Sequence, residues 1–294
     1  MDNLITFYKH RVELHAGVLG QVKRQLAISS TIRLIVFVLA ASFTYLFFGD
    51  TKLVLGTIIV AIGLFLYLVS KHTDLQYKRD KLLALIKINE TEIKVLERNF
   101  HHLPDGSEYK DPNHFFAQDI DLFGKGSFYQ YSNRTALVQG SDMLVEMLLA
   151  NDLENIAGKQ KAVEELSKLP DWRQEFSAIA TLVKTDTTTK TIVSWLAGYQ
   201  AYVPKSMRYV SYTFSLVSLV LIGGYLLGTL PGFPIFIILL AGLLLSGFFL
   251  KSTSKLASDA NRVQSTFQQY QKLILKIEEQ EFASDLLKEK KNSV

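Results

Sequence analysis
Cysteine is absent from this 294-residue chain. That excludes a disulfide framework and any thiolate metal site, and it fits a reducing compartment. No Gly-x-x-x-x-Gly-Lys-Ser/Thr loop occurs, so the chain has no phosphate-cradling nucleotide motif of that type. Nor does it offer a Ser/His/Asp arrangement, a zinc motif or a nucleotide fingerprint, and no catalytic residue can be placed. Cofactor-binding and metal-binding residues are likewise expected to be none.

What is present is grease in blocks. The chain is 48% hydrophobic yet carries 32 basic and 28 acidic side chains, too polar for a pure membrane bundle and too apolar for an ordinary soluble domain. Residues 34–48 and 53–70 hold no charge, and only Gly49-Asp50-Thr51-Lys52 separates them. A second uncharged run covers 209–250, broken at Leu230-Pro231-Gly232-Phe233-Pro234, where two prolines and a glycine force a turn. A bilayer core needs about 20 apolar residues of helix. The expected spans are therefore about 30–49 and 53–70 in one hairpin, and about 209–229 and 233–250 in another. Some thirty residues, polar and charged side chains interspersed among them, precede the first run, so a cleavable signal peptide is not expected.

Basic residues mark the flanks: Lys23, Arg24 and Arg33 before the first hairpin, Lys71, Lys78, Arg79 and Lys81 after it, Lys205 and Arg208 before the second, and Lys251 and Lys255 beyond. By the positive-inside rule both termini and the middle of the chain face the cytoplasm. The expected location is a bacterial inner (plasma) membrane crossed several times, with the lipid bilayer as the first partner. Gly223, Gly224, Gly228, Gly242 and Gly247 suggest close helix packing or homo-oligomerisation.

Helical periodicity continues outside the spans. Ile5, Tyr8, Val12, His15, Leu19, Val22 and Leu26 form one seam, and Leu75, Arg79, Leu82, Ile86, Asn89, Ile93, Leu96 and Phe100 form another. Steps of three and four predict an antiparallel coiled-coil pair prolonging the hairpin, so that 1–100 is one organisational block. Arg79 and Asn89 interrupt the second seam; they read most simply as tolerated positions near water, the alternative being a register mark or a contact with another domain. After the last span, within 253–294, Leu256, Ala260, Val263, Phe267, Tyr270, Ile274 and Ile277 keep the same repeat and need a partner helix.

Residues 101–114 read as a connector loop. His101, His102 and His114 lie in it, but adjacent histidines on a proline-bearing loop lack the spacing of a helical metal pair. From 115 to 200 the pattern predicts short amphipathic helices: one opening near Ser127, one over 141–149, one after an Asn151-Asp152 cap with Ile156, Val163 and Leu166 inward, one opened by Pro170-Asp171 with Trp172, Phe176, Ile179 and Val183 inward, and one over 187–198 carrying Ile192, Trp195 and Leu196. Nothing alternates with period two, and the fold class is all-α. Gly124-Lys125-Gly126-Ser127 lacks the strand and the spacing of a phosphate loop and reads as a helix-opening turn. Glu164-Glu165 reads as a solvated helix face.

The order Asp121-Leu122, Asn133, Thr135, Gly140, Leu144, Leu148-Leu149, Leu153, Ile156, Gln160, Ala162-Val163, Leu166 resembles the core (lever) domain of the MutS family of mismatch-repair ATPases. The likeness covers roughly 115–183. The chain departs from that pattern at Asp142, where relatives carry a basic residue, and at Asp152-Leu153, where they carry proline-leucine. The family's mismatch-reading domain has no counterpart in 1–100, and the second hairpin, within 205–252, stands where lever helices would lead to a DNA clamp. The nearest resemblance is to membrane-associated bacterial MutS-like proteins. It implies helices that transmit nucleotide state, an ABC-type ATPase beyond residue 294, and ATP and Mg2+ as cofactors of the full-length relative.

Two functions of different kind follow. The first is a non-catalytic helical lever coupling such an ATPase to the membrane. The second is a membrane-tethered, mismatch-repair-type DNA-binding protein, which would need Lys and Arg arrayed on phosphates. Here the basic residues sit mostly at membrane flanks, where anionic lipid accounts for them, so the charge distribution does not support DNA. A transporter or membrane scaffold ranks third, because the uncharged runs hold no polar or ionisable residues apart from scattered Ser, Thr and Tyr.

Overall fold
The computed structural model describes residues 2–150, 153–183 and 207–293. The expected helix at 187–198, the Asn151-Asp152 cap and Lys205 lie outside them. The only regular elements among the described residues are helices, with no strand: α1 (Asp2–Leu46), α2 (Thr51–Leu96), α3 (Phe128–Ser132), α4 (Val138–Leu149), α5 (Ile156–Ser167), α6 (Pro170–Thr181), α7 (Met207–Leu226), α8 (Phe233–Glu278) and α9 (Asp285–Asn292), plus a 3-10 turn at Ser107–Tyr109. Four of these, α1, α2, α7 and α8, are long and apolar enough to cross a membrane. Their apolar windows bury nothing inside the protein. Leu34, Phe37, Tyr45, Phe48, Ile59 and Val60 all stand exposed, a surface whose natural solvent is hydrocarbon.

The chain divides into two compact units. One comprises residues 1–183 and 269–294, the other residues 184–268. The N-terminal hairpin therefore belongs to the same unit as the short helices, cutting across the linear blocks the sequence pattern suggests.

In the first unit, α1 and α2 run as single helices from the apolar hairpin into the polar body. Helix α1 has 45 residues, about 68 Å at 1.5 Å each, more than twice a hydrocarbon core. Asp50 opens α2 at the hairpin tip, its carboxylate accepting from the Leu53 amide at 3.3 Å. Leu19, Val22 and Leu26 of α1 close on Leu82 of α2, with Val18, Leu75 and Ile86 against them. All but Val18 are expected seam positions, and the two helices pair antiparallel. Helix α2 has a second buried face, absent from the periodic reading: Ala84 and Leu85 pack on Ala178 of α6, beside Ile88.

The short helices build their own core from Ala117, Leu122, Phe123, Tyr129 and Val145, with Tyr109, Phe116, Leu144, Leu148 and Leu149 around it. The stretch 101–114 is part of this core and more than a connector. Gln130, buried at 2%, donates to the carbonyls of His101 (3.2 Å) and Leu103 (2.6 Å) and accepts from the Gly126 amide (2.7 Å), stitching loop to turn. The Gly124–Gly126 turn opens α3 as expected, with the Ser127 hydroxyl accepting from the Gln130 amide at 3.1 Å. Gly106 sits at φ 69°, where a Cβ would lie 2.7 Å from the Tyr129 ring. Only glycine satisfies both demands.

Helix α5 corrects one expectation. Its N-cap is Asn155, at φ 50°, accepting from the Gly158 amide, and only Ala162 is buried. Val163 is 67% exposed and Ile156 46%, so neither points inward. The inward face is narrow because a small alanine makes the close approach.

In the second unit, α7 ends in a turn where the Thr229 and Leu230 amides donate to the Gly224 carbonyl and Gly228 takes φ 73°. Helix α8 starts at Phe233, as the proline-rich break predicts. Gly242 meets the Phe214 ring, where an added Cβ would lie 2.8 Å away, so one of the five glycines marks close contact between these helices. Gly223, Gly228 and Gly247 meet nothing within 4 Å.

Replacing Gly106 with valine should destabilise the first unit by more than about 1 kcal/mol, because it adds strain at positive φ and a clash with Tyr129. Thermal unfolding of the detergent-solubilised chain checks this; an unchanged midpoint contradicts the packing described.

Candidate functional site: the α6 junction
Pro170 starts α6 at a position where its missing N–H costs nothing, and Leu169 precedes it as the cap residue. Apolar and small residues then recur so that the helix has three different neighbours. Ala178, fully buried, faces α2. Ile179, Ala180 and Val183 close on Leu273 in the last turns of α8, with Phe176 and Tyr270 alongside. Trp172 stacks on Phe176, meets Phe282 edge-on, and donates its indole N–H to the Lys276 carbonyl at 3.0 Å.

At the centre is a polar pair. The Asn89 amide nitrogen donates to Gln174 Oε1, and the Gln174 nitrogen donates to Asn89 Oδ1, each at 2.9 Å. Asn89 is 0% exposed and donates also to the Leu85 carbonyl at 2.8 Å. Arg11 of α1 donates to Gln174 Oε1 at 2.9 Å and pairs with Asp171. Asn89 is thus the mark of an interhelix contact, not a wetted seam position. Arg79 behaves differently: it pairs with its neighbour Asp80 at 2.8 Å and stays half exposed.

Glu175 spans two helices. Its carboxylate takes Lys81 of α2 at 2.9 Å and Lys276 of α8 at 2.6 Å. Burial is the largest single influence on this carboxyl and pushes its pKa up, but hydrogen bonds and charge from Lys276 and Lys81 together outweigh it and hold the pKa below the usual value. A carboxyl whose folded pKa is depressed stabilises the fold above its unfolded value and loses that contribution as pH falls through the folded one. The bridge is therefore intact at neutral pH and is lost in acid. Nearby, Lys272 lies 3.3 Å from the centroid of the Tyr77 ring of α2, and burial lowers its pKa.

The terminal helix α9 is tied in through Glu165, whose two oxygens accept from the Ala283 and Ser284 amides at 2.6 and 2.7 Å. This corrects the reading of Glu164-Glu165 as a solvated pair: Glu164 does pair with exposed Lys168, while Glu165 serves as the cap that the Ser284 side chain does not provide. The heptad expected in α8 is also shifted. Leu273 is buried, whereas Phe267 is 58% exposed and Ile274 is exposed too.

The motif residues fall into two places. Leu122 lies in the small core, Asp121 takes φ 47° just before it, and Leu144 and Leu148 pack against it. Asn133 ends α3; its Oδ1 accepts from the Thr135 amide (2.8 Å) and hydroxyl (2.7 Å), and its nitrogen reaches the Tyr129 hydroxyl at 3.0 Å. Thr135 then meets the Ser141 hydroxyl at 2.6 Å, and Gly140 lies against the Thr135 methyl. Between them Arg134 is aimed at Glu92 of α2, at 2.7 Å. Gln160, Ala162 and Val163 sit apart on α5. His114 Nδ1 faces the Phe116 and Ala117 amides at 3.5 and 3.3 Å, and His101 lies over Phe100; no group of three candidate metal ligands occurs among the described residues.

In this arrangement one short helix contacts three longer ones, α1 through Arg11, α2 through Asn89 and Ala84–Leu85, and α8 through Leu273 and Lys276. Comparison of the chain with protein-family models, curated proteins and solved structures yields no match.

Asn89→Leu and Gln174→Leu should each destabilise the unit by about 1–3 kcal/mol, since each leaves a buried amide unpaired. The double variant should cost clearly less than the sum, by about 1 kcal/mol or more. Equilibrium unfolding of the four proteins measures this coupling, and strict additivity would remove the pair from its central place.

Proposed function
We propose that the chain is a membrane-anchored helical lever, non-catalytic in itself, that transmits movement between the bilayer and a partner domain on the cytoplasmic side. The observation that carries this reading is Glu175, which joins α2 and the end of α8 through one carboxylate. Each of those helices also contains a stretch apolar enough to span a membrane. A displacement of either helix is felt at α6. On this reading the α1–α2 extension acts as a coiled-coil strut, both termini and the middle region lie in the cytoplasm of a bacterial inner membrane, and the chain self-associates through its spans.

The resemblance to the MutS core makes an ABC-type ATPase, with ATP and Mg2+, the proposed source of the movement. In support, Asn133, Thr135 and Gly140 form a compact turn that aims Arg134 at α2, a load path from the small core to the hairpin. Membrane-tethered, mismatch-repair-type DNA binding is the second reading; it is favoured only by the same resemblance, and the basic residues of the flanks are as well explained by lipid.

Because the chain lacks cysteine, topology can be read from single substitutions. Gly49→Cys should react with a membrane-impermeant maleimide in intact cells and Lys161→Cys should not; the reverse pattern would overturn the orientation. With the purified, detergent-solubilised chain, DNA titrations at several salt concentrations should show no tight binding. A nanomolar-range affinity falling steeply with salt would replace the lever with the DNA-binding reading.

A further inference from the structure
A cleft of about 370 Å3 opens in the first unit where α1, α2, α6 and the turn between α3 and α4 converge. Its size falls within the range of small-molecule sites, about 300–1,000 Å3. Lys87, Glu92, Arg134 and Arg173 contribute its charged groups. Glu92 is engaged by Arg134. Lys87 and Arg173 make no ion pair or side-chain hydrogen bond among the described residues. Three cations against one carboxylate leave two positive charges unanswered. The three cations line the cleft from three separate elements, α2, α6 and the turn after α3, unlike charges spread along one solvated helix face. Tyr8 also lines the cleft, and burial and the Glu92 charge raise the pKa of its phenol.

We propose that this cleft binds a small organic phosphate monoester through Lys87, Arg173 and Arg134, with its organic body against Ile88, Leu103 and Pro104. A monoester dianion carries about −1.5 to −2 charges at neutral pH, which matches the excess; a single carboxylate would leave one cation unpaired. The apolar wall favours an organic body over bare phosphate. A lipid headgroup offers the same phosphate chemistry, but the uncharged run of α2 ends at Ser70, and Lys87 lies 17 residues further (87 − 70), about 25 Å along the helix. That is beyond the headgroup layer. A bound monoester links α2, α6 and the Asn133–Thr135 turn, so it stiffens the junction whatever the junction moves, and the inference stands apart from the lever reading.

The test is calorimetric titration of the full chain in neutral phosphatidylcholine nanodiscs, with adenosine 5′-monophosphate as probe. Saturable binding is expected, weakened about tenfold or more for adenosine and for the Lys87→Ala/Arg173→Ala variant. Because both side chains are exposed and pair with no other side chain among the described residues, the variant should melt as the parent does. Arg173→Glu alone should abolish binding, a second variant with little cost to folding. Absence of saturable binding, equal affinity for adenosine, or unchanged affinity in both variants would overturn the proposal. Inorganic phosphate binding as tightly as the nucleotide would overturn the organic body, and displacement of the probe by phosphatidic acid in the nanodisc would overturn the soluble source.

Discussion

Two side-chain amides, Asn89 and Gln174, hold the first unit in register. Both are buried, Asn89 completely, and each has the other as donor and acceptor. An apolar contact tolerates a slide of an ångström or two; a reciprocal amide pair does not, because the slide strands buried polar atoms. The pair therefore fixes where α6 sits on α2. From that position Ala178 meets Leu85, Arg11 reaches Gln174, and Glu175 falls between Lys81 and Lys276.

The hairpin adds a different constraint. Lipid cannot satisfy backbone groups, so the chain must stay helical while it crosses, and α1 and α2 keep the same helix on leaving. No break interrupts either helix between its apolar part and its contacts with the body. The small core then needs only a few attachments, Arg134 to Glu92 and Gln130 to the 101–103 backbone among them, to move with the strut.

Much of this was legible from residue order. Steps of three and four placed Leu19, Val22, Leu26 and Leu82 on facing seams, and charge-free runs located the helices suited to a membrane. The inward face of α6 was read correctly at Ile179 and Val183. What stayed hidden were contacts between residues far apart in the chain. Asn89 finds its partner 85 positions away, and Glu165 caps a helix start 118 positions away, distances over which periodicity carries no information. The heptad reading of α8 followed steps of three and four, and Tyr270 does lie against α6, but that helix meets α6 and α2 at once and buries Leu273 while Phe267 and Ile274 stay exposed. Val163 shows the opposite error: an apolar residue at the right spacing left outside, because the close approach is made by Ala162.

The central claim is that α6 is locked to the strut and opens only with it. Amide hydrogen exchange on the intact chain in lipid nanodiscs measures this directly. The account predicts that amides over residues 176–181 are protected to the same free energy as those over 82–95, and that Asn89→Leu lowers both together. Rapid exchange of α6 while α2 remains protected would contradict it.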